Sequence, residues 1–220
     1  MEDRPHRNDD PNRQLTSRHR AAYDAMAETR DRRALPTWKI SERQRVIDAF
    51  LHAEVREVLE IGAGPGTDAQ AFVAAGLAMT CADLSPVSVR LCRDKGLEAV
   101  VMDFGDLRFP DERFDAVYAN NCLLHVPAAE LLGVLREIRR VLRPGGLFFY
   151  GTYGGRDHEG IYAKDAYRPQ RFFSFRTDER LQETVRRLFG ILWFRAVDVD
   201  EEDSDLHYQA LLLQKPADGT

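Results

Sequence analysis

Between Glu54 and Thr152, short apolar runs alternate with segments whose apolar residues recur at helical spacing. The runs Glu54–Ile61, Leu77–Asp83, Glu98–Met102, Phe114–Ala119 and Leu147–Thr152 predict strands. Helices are predicted from the first glycine cluster through Ala75, from Pro86 to about Lys95, and from Ala128 to Leu142. The last carries Leu131, Leu135, Ile138 and Leu142 on one face, and Pro144-Gly145-Gly146 is expected to stop it. Two helices precede the strands, about Arg13–Thr29 and Ser41–His52, the second with Val46, Ile47, Phe50 and Leu51 at helical spacing. Near the end, Leu192–Val199 and Leu206–Leu213 flank the acidic stretch Asp200–Asp205. So short a link predicts an antiparallel hairpin, with the acids as a solvated turn. Strands separated by helices pair in parallel through right-handed crossovers, so the fold class is α/β, an open doubly wound sheet whose ligands sit at the carboxyl ends of the strands.

A chain of 220 residues, 44% of them hydrophobic, supports one core and one domain. Residues 1–12 are polar, contain Pro5 and Pro11, and are expected to be a disordered tail. The rest, 13–220, reads as a single domain: a helical lid over 13–53, a ligand-binding core over 54–152, a substrate-side insertion over 153–176, and a helix and hairpin over 177–220. The net charge of -5 comes without a Lys/Arg-rich block, which argues against nucleic acid as a partner. The N-terminus has no apolar signal core and no apolar span suits a membrane, so a cytoplasmic location is expected. Cys81, Cys92 and Cys122 lack disulfide or metal-ligand spacing, and the six histidines form no metal-binding cluster, so no metal is expected. Each cysteine reads as a small buried hydrophobe, although Cys122 also lies where a reactive thiol would meet a ligand.

The candidate chemistry starts at Glu60-Ile61-Gly62-Ala63-Gly64-Pro65-Gly66-Thr67. Glycines are required where a side chain would block a positive φ or the approach of backbone amides to a ligand. A dinucleotide fingerprint would place a third glycine at Thr67, and Glu60 would repel a pyrophosphate, whereas it suits a cation. A plain strand-to-helix turn is the alternative. Asp83 ends the second strand, where its two oxygens are placed to accept both hydroxyls of a ribose. Capping the next helix is the alternative, although Ser85 already fills that role with Pro86 at the first helical position. Asp103 ends the third strand, where it is placed to accept from an adenine amino group, with Met102, Phe104 and Leu84 against the ring.

Glu60-x-Gly62-x-Gly64-x-Gly66, Asp83-Leu84-Ser85-Pro86, Asp103, Phe114–Asn120 and Leu142-Arg143-Pro144-Gly145-Gly146 together resemble the ordered motifs of class I S-adenosylmethionine-dependent methyltransferases, over about Val55 to Tyr150. The resemblance implies a Rossmann-like, mostly parallel seven-stranded sheet with its last strand inverted. It implies S-adenosylmethionine as cofactor and S-adenosylhomocysteine as product. Glu60, Gly62, Ala63 and Gly64 would lie under the methionine part, Asp83 and Leu84 at the ribose, Met102, Asp103 and Phe104 at the adenine, and Asn120 beside the amino-acid moiety. Tyr23, in Ala21-Ala22-Tyr23-Asp24, is similar to the tyrosine that small-molecule members place near the cofactor carboxylate.

His125 follows the fourth strand and is placed to serve as general base, the alternative being a histidine that packs over the cofactor or bonds a backbone carbonyl. Tyr153, Tyr162, Tyr167 and Phe172 in the insertion are expected to wall an apolar or aromatic acceptor, with Arg156, Arg168 or Arg171 meeting an acidic group; ordinary loop packing is the alternative. The expected activity is methyl transfer to oxygen, nitrogen or carbon of a small molecule, of secondary-metabolite type. A protein methyltransferase and a non-catalytic S-adenosylmethionine-binding protein are the other readings. A nucleic-acid amino-methyltransferase would carry Asn-Pro-Pro-Tyr where this chain has Asn120-Asn121-Cys122-Leu123.

Overall fold

The computed structural model describes residues 11–199 and 206–217. The tail expected over the first residues, up to residue 10, and the acidic turn Asp200–Asp205 lie outside the described residues. Two helices open the chain, α1 (Pro11–Asp31) and α2 (Thr37–His52), followed by β1 (Glu57–Ile61), α3 (Thr67–Ala74), β2 (Ala78–Asp83), α4 (Pro86–Asp94), β3 (Glu98–Val101) and β4 (Phe114–Asn120). A 3-10 turn (Leu123–His125) leads into α5 (Ala128–Val141) and β5 (Leu142–Gly154). Then come β6 (His158–Ile161), β7 (Phe172–Phe175), α6 (Asp178–Arg186), β8 (Gly190–Val197) and β9 (His207–Gln214).

Seven strands form one sheet in the order β3-β2-β1-β4-β5-β9-β8. The first five are parallel, and β9 pairs antiparallel with both β5 and β8. The Rossmann-like sheet with a C-terminal antiparallel hairpin is thus the observed architecture. Strand order reverses between β1 and β4, which opens a crevice at their carboxyl ends. Period-two alternation divides the core. Leu59, Ile61, Val117 and Phe148 face α5 and α6, whereas Val58, Ala116, Tyr118 and Phe149 face the layer of α2, α3 and α4. Ser85 caps α4 by accepting from the Ser88 N–H at 3.0 Å, with Pro86 at the first helical position. Among the described residues no helix is long and apolar enough to cross a membrane.

Three departures from the sequence reading have local causes. Strand β1 begins at Glu57 rather than Glu54, because Glu54 has φ 54° and the chain is still closing α2. Val55 N–H bonds Phe50 O and Glu54 N–H bonds Leu51 O, a Schellman termination with glutamate in the left-handed place. At the other end of the core, α5 ends at Val141 and Leu142 is already extended at φ -79°, ψ 139°. Pro144-Gly145-Gly146 is therefore an interruption inside β5 rather than a helix stop, and the pairing with β4 jumps from Phe114↔Leu142 to Ala116↔Leu147. Proline disfavours the helical conformation at Arg143, which explains why the helix is already over. Finally, the insertion after Gly154, in which the sequence predicts no strand, contains the antiparallel pair β6–β7.

Candidate active site

The turn after β1 lies at the crevice. Gly62 has φ +65°, and a Cβ there would stand 2.4 Å from the Cys122 Cβ, so only glycine fits between β1 and the segment after β4. Gly62 N–H bonds Ala82 O at 2.8 Å, which ties the turn to the end of β2. Asp83 completes the tie: Oδ2 accepts from Gly64 N–H at 2.7 Å and Oδ1 from Ser85 N–H at 2.8 Å. Each oxygen keeps a further lone pair for a ligand hydroxyl. Burial raises the Asp83 carboxyl above its ordinary range, against the pull of those two amides.

Glu60 lines the same crevice, and its Oε2 is buried with no hydrogen-bond partner among the described residues. Burial first, then the nearby Asp68 charge, push its carboxyl well above the usual range and so toward the neutral form. A buried carboxyl with one unpartnered oxygen beside a glycine turn fits a cationic ligand, whose charge would favour the ionised form. Asn120 is engaged through its whole side chain: Nδ2 donates to Asp68 Oδ2 at 3.0 Å and to Tyr118 Oη at 3.2 Å, and Oδ1 accepts from Tyr208 at 2.9 Å.

Helix α1 supplies the roof. His19, Tyr23 and Arg30 recur at helical spacing on its inward face. The Tyr23 hydroxyl lies 2.5 Å from His125 Nε2 and accepts from Arg171 Nη1 at 2.8 Å. His125 Nδ1 stands 2.7 Å from Phe172 O and donates to it, so Nε2 is the acceptor and Tyr23 the donor. The His19 ring lies 4.8 Å from the His125 ring, and its Nε2 accepts from Phe172 N–H at 3.2 Å. Burial lowers His125 well below the ordinary histidine value and lowers His19 to about 4, so both rings are neutral. The Arg30 guanidinium packs 5.1 Å from the Tyr23 ring, and its Nη2 lies over Gly64.

Two adjoining hollows and one larger cavity meet here. One hollow is bordered by Leu84, Asp103, Phe104 and His19, the second by Asp83, Gly64 and Tyr23. The larger cavity, about 370 Å³, runs from Glu60, Gly62, Ala63 and Asn120 to Tyr153, Tyr167 and Phe173. Several residues singled out from sequence therefore converge. Met102 is instead in the core below, and Asp103 Oδ1 accepts from Gly105 N–H at 2.8 Å in a turn at the hollow's edge. Tyr162 packs on Phe173 and Phe175 away from the cavity, and Phe172 offers its carbonyl while its neighbour Phe173 lines the space. Of the three arginines expected to meet an acid, Arg171 lines the cavity, bonded to Asp165 through Nε at 3.0 Å and Nη2 at 2.8 Å. Arg30, Lys39 and Asp68 were not singled out from sequence. The seven-residue interval from Tyr23 to Arg30 would have marked the first, since both then share a helix face.

Comparison with known proteins bears on the segment that carries the glycine turn and on the fold. Residues 59–150 match the methyltransferase domain family. The chain is 37% identical over 94 residues to a demethylmenaquinone methyltransferase of Tropheryma whipplei, covering 41% of this chain and 38% of that protein. It is 35% identical over 145 residues to a sterol 24-C-methyltransferase of Gibberella zeae, covering 61% of this chain and 36% of that protein. The chain thus spans well under half the length of these curated relatives. Its fold is similar to that of 1,6-didemethyltoxoflavin-N1-methyltransferase of Burkholderia thailandensis, with a TM-score of 0.71, 24% identity and coverage of 98% of this chain and 93% of that one. The glycine turn, Asp83 and the carboxyl ends of β2 and β4 all lie in the matched segment, so the likeness to methyltransferase domains covers the cofactor-side edge of the crevice.

Proposed function

We propose that the protein methylates an oxygen, nitrogen or carbon atom of a small molecule, with S-adenosylmethionine as donor and S-adenosylhomocysteine as product. The observation that carries this reading is the continuity of the 370 Å³ cavity: one end is the glycine turn with the buried Glu60 carboxyl and its unpartnered oxygen, the other a ring-lined hollow. A hollow of that size suits a small acceptor better than a protein segment. The relatives named for demethylmenaquinone and sterol methylation support a small-molecule acceptor. Cysteines 81, 92 and 122 are free thiols, which fits a reducing cytoplasmic setting.

When bound, S-adenosylmethionine supplies a methyl group already electrophilic on its sulfonium. Glu60, with its unpartnered oxygen, would meet the positive end of that molecule, and Asp83, with Leu84 beside it, the ribose. Gly62, Ala63 and Gly64 would lie against its backbone-facing side, Asn120 would lie beside its amino-acid moiety, and Asp103 and Phe104 would border the adenine. Met102 would support that border from the core, and Tyr23 would close the site from above. Tyr153 and Tyr167 wall the acceptor end, while Tyr162 and Phe172 set the position of that wall from behind it. Orientation and exclusion of water are the chain's main contributions to such a transfer. His125 has both nitrogens engaged, so it takes a proton from an acceptor only by way of the Tyr23 hydroxyl. A screen of metabolite acceptors with isotopically labelled cofactor, read by mass gain and by the methylated atom, tests the reading; no transfer to any small molecule despite cofactor binding would leave the non-catalytic alternative standing.

A further inference from the structure

Asp165 and Arg171 stand in the insertion between β6 and β7, outside the segment that matches methyltransferase domains. The Asp165 side chain is 3% exposed and accepts from the backbone N–H of Arg171 at 2.7 Å, from its Nε at 3.0 Å and from its Nη2 at 2.8 Å. The last two bonds grip one edge of the guanidinium in a bidentate clasp. Its carbon lies 3.6 Å from the centre of the Tyr167 ring, so the group is held by its face as well as by its edge. Nη1, on the far side of the clasp, donates to the Tyr23 hydroxyl at 2.8 Å.

We infer that Asp165 and Arg171 are positioning residues that act through Tyr23: the clasped guanidinium fixes which way the tyrosine hydroxyl donates and strengthens its bond to His125. The catalytic meaning of that bond rests on the methyltransferase reading above. An arginine donates and cannot accept, and a backbone carbonyl accepts and cannot donate. With Arg171 at one end, the Tyr23 oxygen receives, and its own proton is directed to His125 Nε2 at 2.5 Å. With Phe172 O at the other end, 2.7 Å from Nδ1, the imidazole carries its proton there and keeps Nε2 open. Arg171 and Phe172 are neighbours in the chain at the start of β7, so one short piece of backbone sets both ends of the relay. Hydrogen bonds in series polarise one another, and a cation against the tyrosine oxygen stabilises the charge that grows there as the proton leaves. Burial raises the Tyr23 hydroxyl above its ordinary value, and Arg171 leads the groups that pull it back. Arg171 also disfavours a charged His125, but it bonds the tyrosine oxygen itself, which therefore feels it more strongly.

Proton NMR of the full chain reads the bond directly. The proton between the Tyr23 oxygen and His125 Nε2 should resonate well downfield of the amides and be absent from Tyr23→Phe and from His125→Asn. Arg171→Gln should move it upfield, and Asp165→Asn should move it the same way by less. Arg171→Lys, which keeps a cationic donor, should restore much of the wild-type position. Thermal melts check that each variant folds. If Arg171→Gln does not, Asp165→Asn combined with Arg171→Gln takes its place, since that pair leaves no buried charge alone. A resonance that stays in place once the guanidinium is gone, or none in the wild-type chain, overturns the inference. Failure of S-adenosylhomocysteine to bind the wild-type chain, in a separate calorimetric titration, overturns the methyltransferase reading instead and leaves the orientation of Tyr23 standing.

Discussion

The Tyr23 hydroxyl and His125 Nε2, from residues 102 positions apart, stand 2.5 Å from each other, with Arg171 donating to the same hydroxyl. They form one unit rather than two neighbours. Tyr23→Phe and His125→Asn should each lower kcat by about a hundredfold to ten-thousandfold, the span expected of a positioned proton-transfer group. The double variant should lose little more than either alone. Steady-state kinetics that show multiplicative losses would mean that the two side chains act separately.

Asp83 both anchors the glycine turn and faces the second hollow. Asp83→Ala should weaken S-adenosylhomocysteine binding by about a hundredfold or more, since two backbone amides and the ligand hydroxyls lose a charged acceptor. Calorimetry that finds unchanged affinity would remove Asp83 from the site.

Gly62→Ala combines a φ of +65° with a Cβ placed 2.4 Å from that of Cys122. The expected loss is on the order of 2–4 kcal/mol of stability. Cys122→Gly in the same chain should recover part of it, because it removes the clash while leaving the φ strain. Chemical denaturation of the single and double variants checks this, and a full recovery would show that φ costs nothing here.

Buried His19 is neutral, with its value lowered from 6.5 to about 4. The unfolded chain binds the proton first, so this residue's contribution is full above pH 6.5 and is lost as pH falls toward 4. Between pH 7 and 5 the loss should be about 2 kcal/mol, and His125, lowered as well, acts in the same direction. Raised Glu60 and Asp83 act in the opposite sense, so the test is the slope difference between the wild-type chain and His19→Gln, which retains an acceptor for Phe172 N–H. Equal slopes in pH-dependent unfolding would refute the assignment.

Glu60 offers a proton count. A cation bound beside this raised carboxyl should draw its value back down, so S-adenosylmethionine binding should release protons in the pH range where free Glu60 titrates, and Glu60→Gln should abolish that release. Titrations in buffers of different ionisation enthalpy measure it directly.

What could be read before folding was local chemistry. Ser85-Pro86 marks a helix start in any context, and the spacing of Gly62, Gly64 and Gly66 marks a tight turn, so both were legible. Glu54 was not, because a left-handed helix end is usually recognised by glycine. The choice between Phe172 and Phe173 depends on β7, where adjacent residues point to opposite sides; without that strand both rings look equivalent. Arg30 follows from Tyr23 by helical spacing, whereas Lys39 required knowledge of which face of α2 meets the sheet, and that is decided by packing.

Helix α1 is fastened along the length of α4. Asp24 accepts from the Ser85 hydroxyl at 2.5 Å, and Asp31 pairs with Lys95, whose ammonium also donates to Pro65 O at 2.6 Å. Swinging α1 outward would strand a fully buried serine hydroxyl and pull on the glycine turn itself. The mostly exposed link over residues 32–36, four of which border the cavity, is the cheaper place to part. Molecular traffic would then pass through a side door between the helices, with the roof staying latched throughout a turnover.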